Sequence, residues 1–411
     1  MTGEETPRES TFRYRDFRLL QLARFASIVA LQVQHVAVGW QVYHLTSRPL
    51  DLGLVGLAQF VPAALLSMFA GHTADRFDRR GILLACNAAY GVLALALAFY
   101  AHTGRTSVWP IYGVLMLLGA ARAFAGPAGQ ALLPDVVPQA ELKVAIAWAS
   151  SIWQLAMIIG PAVSGAVYGA IGAVATYLFA AGMAFVATIS VLLMRVRTGR
   201  LETKETSVTV LLAGVKYVWE KKVILGAISL DLFAVLLGGA VALLPAFARD
   251  ILHSGPWGLG LLRAAPGVGA VITALLLARY PLRSRVGLVM FVCVAIFGAM
   301  MIVFGMSTSL ALSLGVLAIS GAADMVSAVI RHTLVQVMTP QAMRGRVSAV
   351  NLVFIGASNE LGEFESGVTA QWLGTERSVV FGVIGTILVV IFWMLMFPAL
   401  RKVKTLEDAP T

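Results

Sequence analysis

The sequence predicts an all-α integral membrane protein whose twelve transmembrane helices form two six-helix pseudo-repeat bundles. Three observations carry that prediction. Of 411 residues, 59% are hydrophobic and only 13% charged, against about 25% charged in a soluble domain, so the chain cannot cover a soluble surface. Apolar runs long enough to cross the roughly 30 Å hydrocarbon core as helices recur from end to end. Lys and Arg, 31 in all, concentrate in alternate connections, the asymmetry that orients a polytopic protein.

Taken in order, residues 1–18 are charged and carry no apolar h-region, which predicts a cytoplasmic tail and not a cleaved signal peptide. Apolar runs then predict spans at 19–45, 51–72, 81–101, 107–132, 143–170 and 173–194. Arg76, Arg79 and Arg80 follow the second span. The longest polar connection, 195–222, holds Arg195, Arg197, Arg200, Lys204, Lys216, Lys221 and Lys222. Six further spans are expected at 223–250, 256–279, 286–306, 309–337, 345–372 and 377–399, with a second cytoplasmic tail at 400–411. Helices are required because lipid offers no hydrogen-bond partners to the backbone. The positive charge falls mainly in the two tails and the even-numbered connections; only Arg48, Arg105, Arg249 and Arg377 lie in odd ones. Both termini are therefore expected in the cytoplasm, and the net charge of +10 is topological, with no nucleic-acid partner implied.

The connection 195–222 divides the chain into an N-terminal bundle, 19–194, and a C-terminal bundle, 223–399. An internal repeat supports the division: "VPQAELKVAIA" (137–147) aligns with "TPQAMRGRVSA" (339–349), 202 residues on. The same shift pairs Gly160 with Gly362, Ser164 with Ser366 and Gly165 with Gly367. Repeats of six helices are a transporter architecture, with the substrate site near the midplane between them.

Three motifs then resemble the major facilitator superfamily. "GHTADRFDRRG", Gly71–Gly81, is similar to its loop motif Gly-x-x-x-Asp-Arg-x-Gly-Arg-Arg, with Asp78 at the second glycine. Leu118-x-x-x-Arg122-x-x-x-Gly126 resembles the intramembrane arginine motif of the drug-proton antiporters, and Gly160-Pro161-x-x-Ser164-Gly165 the core of their antiporter motif. "LGLLRAAPGVGA" (259–270) and Asp231 look most like the branch containing the enterobactin exporter. The resemblance implies a cytoplasmic gate in which Asp75, with Arg76, Arg79 and Arg80, meets the start of span 11, and Asp135 and Arg346 are its candidate partners. The alternative is an orientation-setting basic loop with a solvated Asp75.

Charges inside spans are expensive and belong in the bundle interior. Arg122 has Asp324 as its repeat counterpart, and Arg24 has Asp231 at a shift of 207. Basic residues in the first half thus mirror acids in the second, and are read either as fixed ion pairs or as a proton or substrate relay. "NELGEFE" in span 11 adds Glu360, Glu363 and Glu365; Glu360 and Glu363 share a helical face. Pairing with Arg263 or Arg331 is the plainer account. His35, beside Gln32 and Gln34, is a relay candidate or a packed histidine. Gly160, Pro161 and Gly165 suit close helix approach, with Pro161 able to kink span 5. Trp40, Phe124, Trp148, Trp153 and Tyr168 are packing residues or the wall of a pocket.

No nucleotide-binding loop is present, so no cofactor is expected and the proton gradient is the expected driving force. No catalytic elbow or metal motif appears either, which excludes neither a receptor nor a membrane-embedded enzyme but favours a non-enzyme. The expectation is a secondary transporter of the cytoplasmic membrane, exporting a siderophore or drug-like compound in exchange for protons, with lipid, substrate and protons as partners and no nucleotide-binding subunit. A proton-independent facilitator and a lysophospholipid flippase are the alternatives, and second-half acids, Asp231 and Asp324 first, are expected to carry the proton.

Overall fold

A computed structural model describes residues 11–196, 208–282 and 284–405. The first half holds α1 (Arg15–Thr46), α2 (Pro49–Arg76), α3 (Arg79–His102), α4 (Trp109–Leu132) and the long α5 (Leu142–Leu192). The second holds α7 (Lys222–Gly238), α8 (Gly255–Arg279), α9 (Val286–Gly305), α10 (Leu310–Val337), α11 (Gln341–Leu373) and α12 (Thr375–Met396), preceded by a short α6 (Val208–Glu220). Among the described residues, ten helical stretches are long and apolar enough to cross a membrane. One of these, Gln139–Leu192, has 54 residues and supplies two crossings. The polar α11 supplies the twelfth.

One boundary falls where the sequence places it and two differ. Spans 5 and 6 are the two arms of α5, which turns at Gly172, where φ is 85° and ψ −175°. That conformation is open to glycine and strained for other residues. Helical geometry continues through Pro161, and the turn at Gly172 falls in the gap expected between spans 5 and 6. Span 7 is also interrupted: α7 ends at Gly238, and a 3-10 turn and a π-helical turn, Phe247–Ile251, complete the crossing. The polar connection contains α6, with Gly214 against the backbone of Arg346 and the Tyr217 hydroxyl donating to the Met338 carbonyl at 3.1 Å. Residues 197–207, within the expected basic loop, lie outside the described residues, as do residues 1–10 and 406–411 of the tails.

The helix order puts both ends of the described chain on one side, here the terminal side; the α1–α2, α3–α4 and α11–α12 connections lie on the far side. Burial differs between them. At the far side one apolar cluster joins the halves: Val36 and Trp40 of α1 pack with Leu243, Phe247, Leu259 and Leu262. At the terminal side each half has its own core. Phe17, Leu20, Leu132 and Val191 form one, and Val223, Phe291, Leu334 and Leu400 the other. Two glycine contacts tighten the far side. A Cβ on Gly165 would lie 2.7 Å from the Gly260 Cα, and one on Gly367 2.8 Å from the Gly53 Cα. Without side chains there, α5 meets α8 and α2 meets α11 backbone to backbone.

Candidate functional site

The separate terminal-side cores leave a cavity of about 1160 Å³ between the halves. Its lining runs from Arg122 and Tyr90 in the interior to Leu20, Pro134, Leu142 and Gln336 at the terminal-side helix ends. The first half supplies most of the wall, including Arg24, Asn87, Gln130, Trp153 and Gln154; α10 supplies Met325, Ala328, Val329, His332, Thr333 and Gln336. Of the aromatics weighed for a pocket, Trp153 lines it. The others pack elsewhere: Trp148 against Phe12 at 4.9 Å, Trp40 against Tyr168 at 6.5 Å, and Phe124 in the apolar core of the first half.

Arg122, more than halfway along α4, crosses the interface: its Nη2 donates to Glu360 Oε1 on α11 at 3.1 Å. The Arg122 side chain is half exposed to the cavity, while Glu360 is largely enclosed. Glu363 is one turn on. A Cβ on Gly56 of α2 would lie 2.7 Å from Glu363 Oε2 and 3.5 Å from Glu360 Oε2, which seats both acids against the same stretch of α2. Arg263 of α8 is within electrostatic range of Glu363, and His35 of α1 is within range of both Arg122 and Arg263. Five charged or titratable groups from four helices thus converge on the seam between the halves.

The repeat-mirrored pairs do not form. Asp231 is bonded to Arg331 of α10, both almost fully buried within the second half. Arg24 reaches the Gly129 carbonyl of α4 at 3.5 Å, and Arg122 takes Glu360 in place of Asp324. The physical reason is helix adjacency. Repeat symmetry relates equivalent positions in different halves, whereas an ion pair needs adjacent helices, and α7 and α10 are neighbours inside one half. Asp324 is exposed, near Asp231, Arg331 and His332. Glu365 is half-buried, its carbonyl accepting from the Thr369 hydroxyl at 3.0 Å.

The loop motif is built mainly within the first half. Arg79 donates to Asp135 at 2.9 Å and to the Ala131 carbonyl at 3.1 Å, and Arg80 donates to the Val191 and Leu192 carbonyls at 3.1 and 2.7 Å. Both arginines thereby satisfy carbonyls left over at the ends of α4 and α5. Asp78, which departs from the motif, caps α3 by accepting from the Arg80 and Gly81 amides. Asp135 is therefore a partner of Arg79, and Arg346 reaches Met343 Sδ at 3.6 Å. Gly71 and Arg76 lie along the last turns of α2; the Asp75 side chain lies outside the described residues. In the antiporter-like motif, Ser164 donates to the Val33 carbonyl at 2.8 Å, Gly160 abuts Gln32, and Pro161 offers its carbonyl to the Gly260 contact.

Sequence reasoning did not find the far-side network. The Tyr43 hydroxyl donates to Asp250 at 2.5 Å, and Arg249 donates to the Tyr43 carbonyl and the Ser47 hydroxyl, each at 3.0 Å. These contacts tie the end of α1 to the π-helical turn of the other half. Their only sequence signal was an acid and an arginine at a short connection.

Comparisons with known proteins agree with this architecture. An enterobactin exporter, EntS, of Citrobacter koseri is 27% identical over 402 residues, covering 96% of this chain and 94% of that protein. The Escherichia coli exporter of the same name is 28% identical over 344 residues, covering 81% and 80%. Among solved structures, a POT family transporter in complex with 5-aminolevulinic acid superposes with a TM-score of 0.76 at 11% identity, covering 94% of this chain and 97% of that one. A bacterial homologue of the lysosomal transporter Spinster, inward-facing and unoccupied, gives 0.73 at 15% identity, covering 95% and 99%. The profile of the transmembrane secretion effectors matches residues 8–411, and the chain belongs to that family of major facilitator transporters.

Proposed function

We propose that this transporter exports a small, partly hydrophobic molecule across the cytoplasmic membrane in exchange for protons, by rocking of its two halves about the seam at Arg122 and Glu360. The observation that carries the reading is the unequal burial across the membrane: a shared apolar core at the far side, separate cores and a deep cavity at the terminal side. With the termini in the cytoplasm, as the charge asymmetry implies, this is an inward-open state ready to load from the cell interior. The exporters among the relatives support the direction, and their siderophore cargo supports a substrate of that class.

Coupling is assigned to Glu360 and Glu363, not to Asp231. Asp231 is held by Arg331 inside one half, so its bond need not change when the halves move. The Arg122–Glu360 bond joins the halves and has to change. A proton arriving on Glu360 removes the negative charge that makes this a charge-assisted hydrogen bond and frees the seam; its departure restores the bond. Proton occupancy and the relative position of the halves are thereby linked through one contact.

The test is counterflow of a labelled siderophore in proteoliposomes, followed by a pH jump. Gradient-driven export that Glu360→Gln abolishes, with counterflow retained, supports the reading. Counterflow insensitive to the pH jump would make the protein a proton-independent facilitator, and movement of lysophospholipid instead of the siderophore would make it a flippase.

A further inference from the structure

The cavity wall is electrostatically one-sided. Among its described lining residues are Arg24, Arg122 and His332, and no Asp or Glu. Acids beside that lining have partners in the protein: Glu360 is engaged by Arg122, Asp135 by Arg79 and Glu141 by Arg13, while Asp324 is exposed and near His332 and Arg331. Arg24 is the more telling of the two arginines. It is a largely enclosed cation in a transmembrane helix, where a charge is costly unless it is paired. Its one hydrogen bond among the described residues is a 3.5 Å approach to the Gly129 carbonyl. A guanidinium carries five N–H donors, so most of its capacity faces no protein acceptor. Gly129 is seven residues beyond Arg122, about 10 Å along α4, so the two cations are stations along one wall.

The rest of the wall is amphipathic. Ile28, Leu31, Leu83, Ile146 and Trp153 give it apolar area, and Asn87, Gln130 and Gln154 give it neutral hydrogen-bonding groups. Its volume exceeds the range usual for a drug-sized ligand. We infer that the cavity is a binding site for an amphipathic organic anion whose acidic group docks on Arg24, with Arg122 as a second cationic station once a proton on Glu360 releases it, and the apolar wall taking the body of the molecule. Planar carboxylates match the guanidinium fork. Amphipathic cations are disfavoured, because nothing in the described lining neutralises them. This inference names the substrate class of the exporter reading and rests on it.

The test uses naphthalene-1-carboxylate and naphthalen-1-ylmethylammonium, aromatic probes of similar size and opposite charge, in equilibrium dialysis against the full-length protein in nanodiscs of zwitterionic lipid. The carboxylate is expected to bind at least tenfold more tightly, Arg24→Gln to weaken it at least tenfold, and Arg24→Lys, which keeps the charge but not the fork, to recover part of the loss. A second variant guards against misfolding of the first. Ser27 lies one turn from Arg24 and lines the cavity, so Ser27→Glu supplies the missing counter-charge; it should weaken the carboxylate tenfold and spare the ammonium. Equal affinity for the two probes, or carboxylate binding unchanged in both variants, overturns the anion site. An ammonium that binds and is exported overturns it too while leaving the exporter reading in place. A carboxylate that binds through Arg24 but does not move in counterflow overturns the exporter reading and leaves the site standing.

Discussion

Asp231 and Glu360 are both acids in transmembrane helices of the second half, and their partners separate their roles. Asp231 is enclosed with Arg331, so truncating it leaves a buried cation alone. Asp231→Ala should cost on the order of 3–5 kcal/mol, seen as a lower melting temperature in detergent. Removing both charges, in Asp231→Ala with Arg331→Met, should recover much of that loss, because a buried ion pair is often replaceable by apolar residues. Glu360 behaves differently because its partner Arg122 is half exposed to the cavity and keeps access to water when the bond is lost. Glu360→Gln should therefore melt close to the parent while changing transport. If Glu360→Gln unfolds as readily as Asp231→Ala, Glu360 is a structural acid.

At the scale of the element, the sharpest constraints are glycines where backbones turn or touch. Gly172 sets the reversal between the arms of α5 at a positive φ. Gly172→Ala should destabilise the protein by about 1–3 kcal/mol, measurable in the same melts, although no side chain crowds the position. Gly165 makes a different demand. Its added Cβ would strike Gly260, so Gly165→Val should prise α5 from α8 at the far side and leave the fold of each half intact. Site-directed cross-linking between Gly169 and Trp257, neighbours across that seam, should fall several-fold in the variant; unchanged cross-linking would show that the seam absorbs the extra bulk.

For the whole molecule, alternating access requires that the far-side contacts break while the terminal side closes. The Tyr43–Asp250–Arg249 network is the polar part of the far-side seal. Tyr43→Phe with Asp250→Asn should shift the population toward far-side-open states. The readout is a cysteine at Ala265, buried in the shared core, in a background lacking Cys86 and Cys293; its labelling from the far side should rise several-fold. Topology is tested in the same background with single cysteines at Ser107 and Lys402, both exposed. In intact cells Ser107→Cys should label from outside and Lys402→Cys should not.

How much was legible in the sequence follows from the range of the interactions involved. Span number, the division into two repeats and the charge asymmetry were determined by the sequence alone, because each depends on runs of neighbouring residues meeting a uniform solvent, lipid or water. The charged residues of the site were legible for the same reason: Arg24, Arg122, Glu360 and Glu363 stand out in apolar helices. Their partners were not. Asp231 mirrors Arg24 in the repeat yet bonds Arg331, and Arg122 mirrors Asp324 yet bonds Glu360. Which charge meets which depends on helix rotation and adjacency, and in helices apolar on every side no periodicity records the facing direction. The one-sided charge of the cavity, the break of span 7 at Gly238 and the closed far side were likewise decided by the tertiary structure. Each is a relation between helices distant in sequence, set by how two bundles pack against each other.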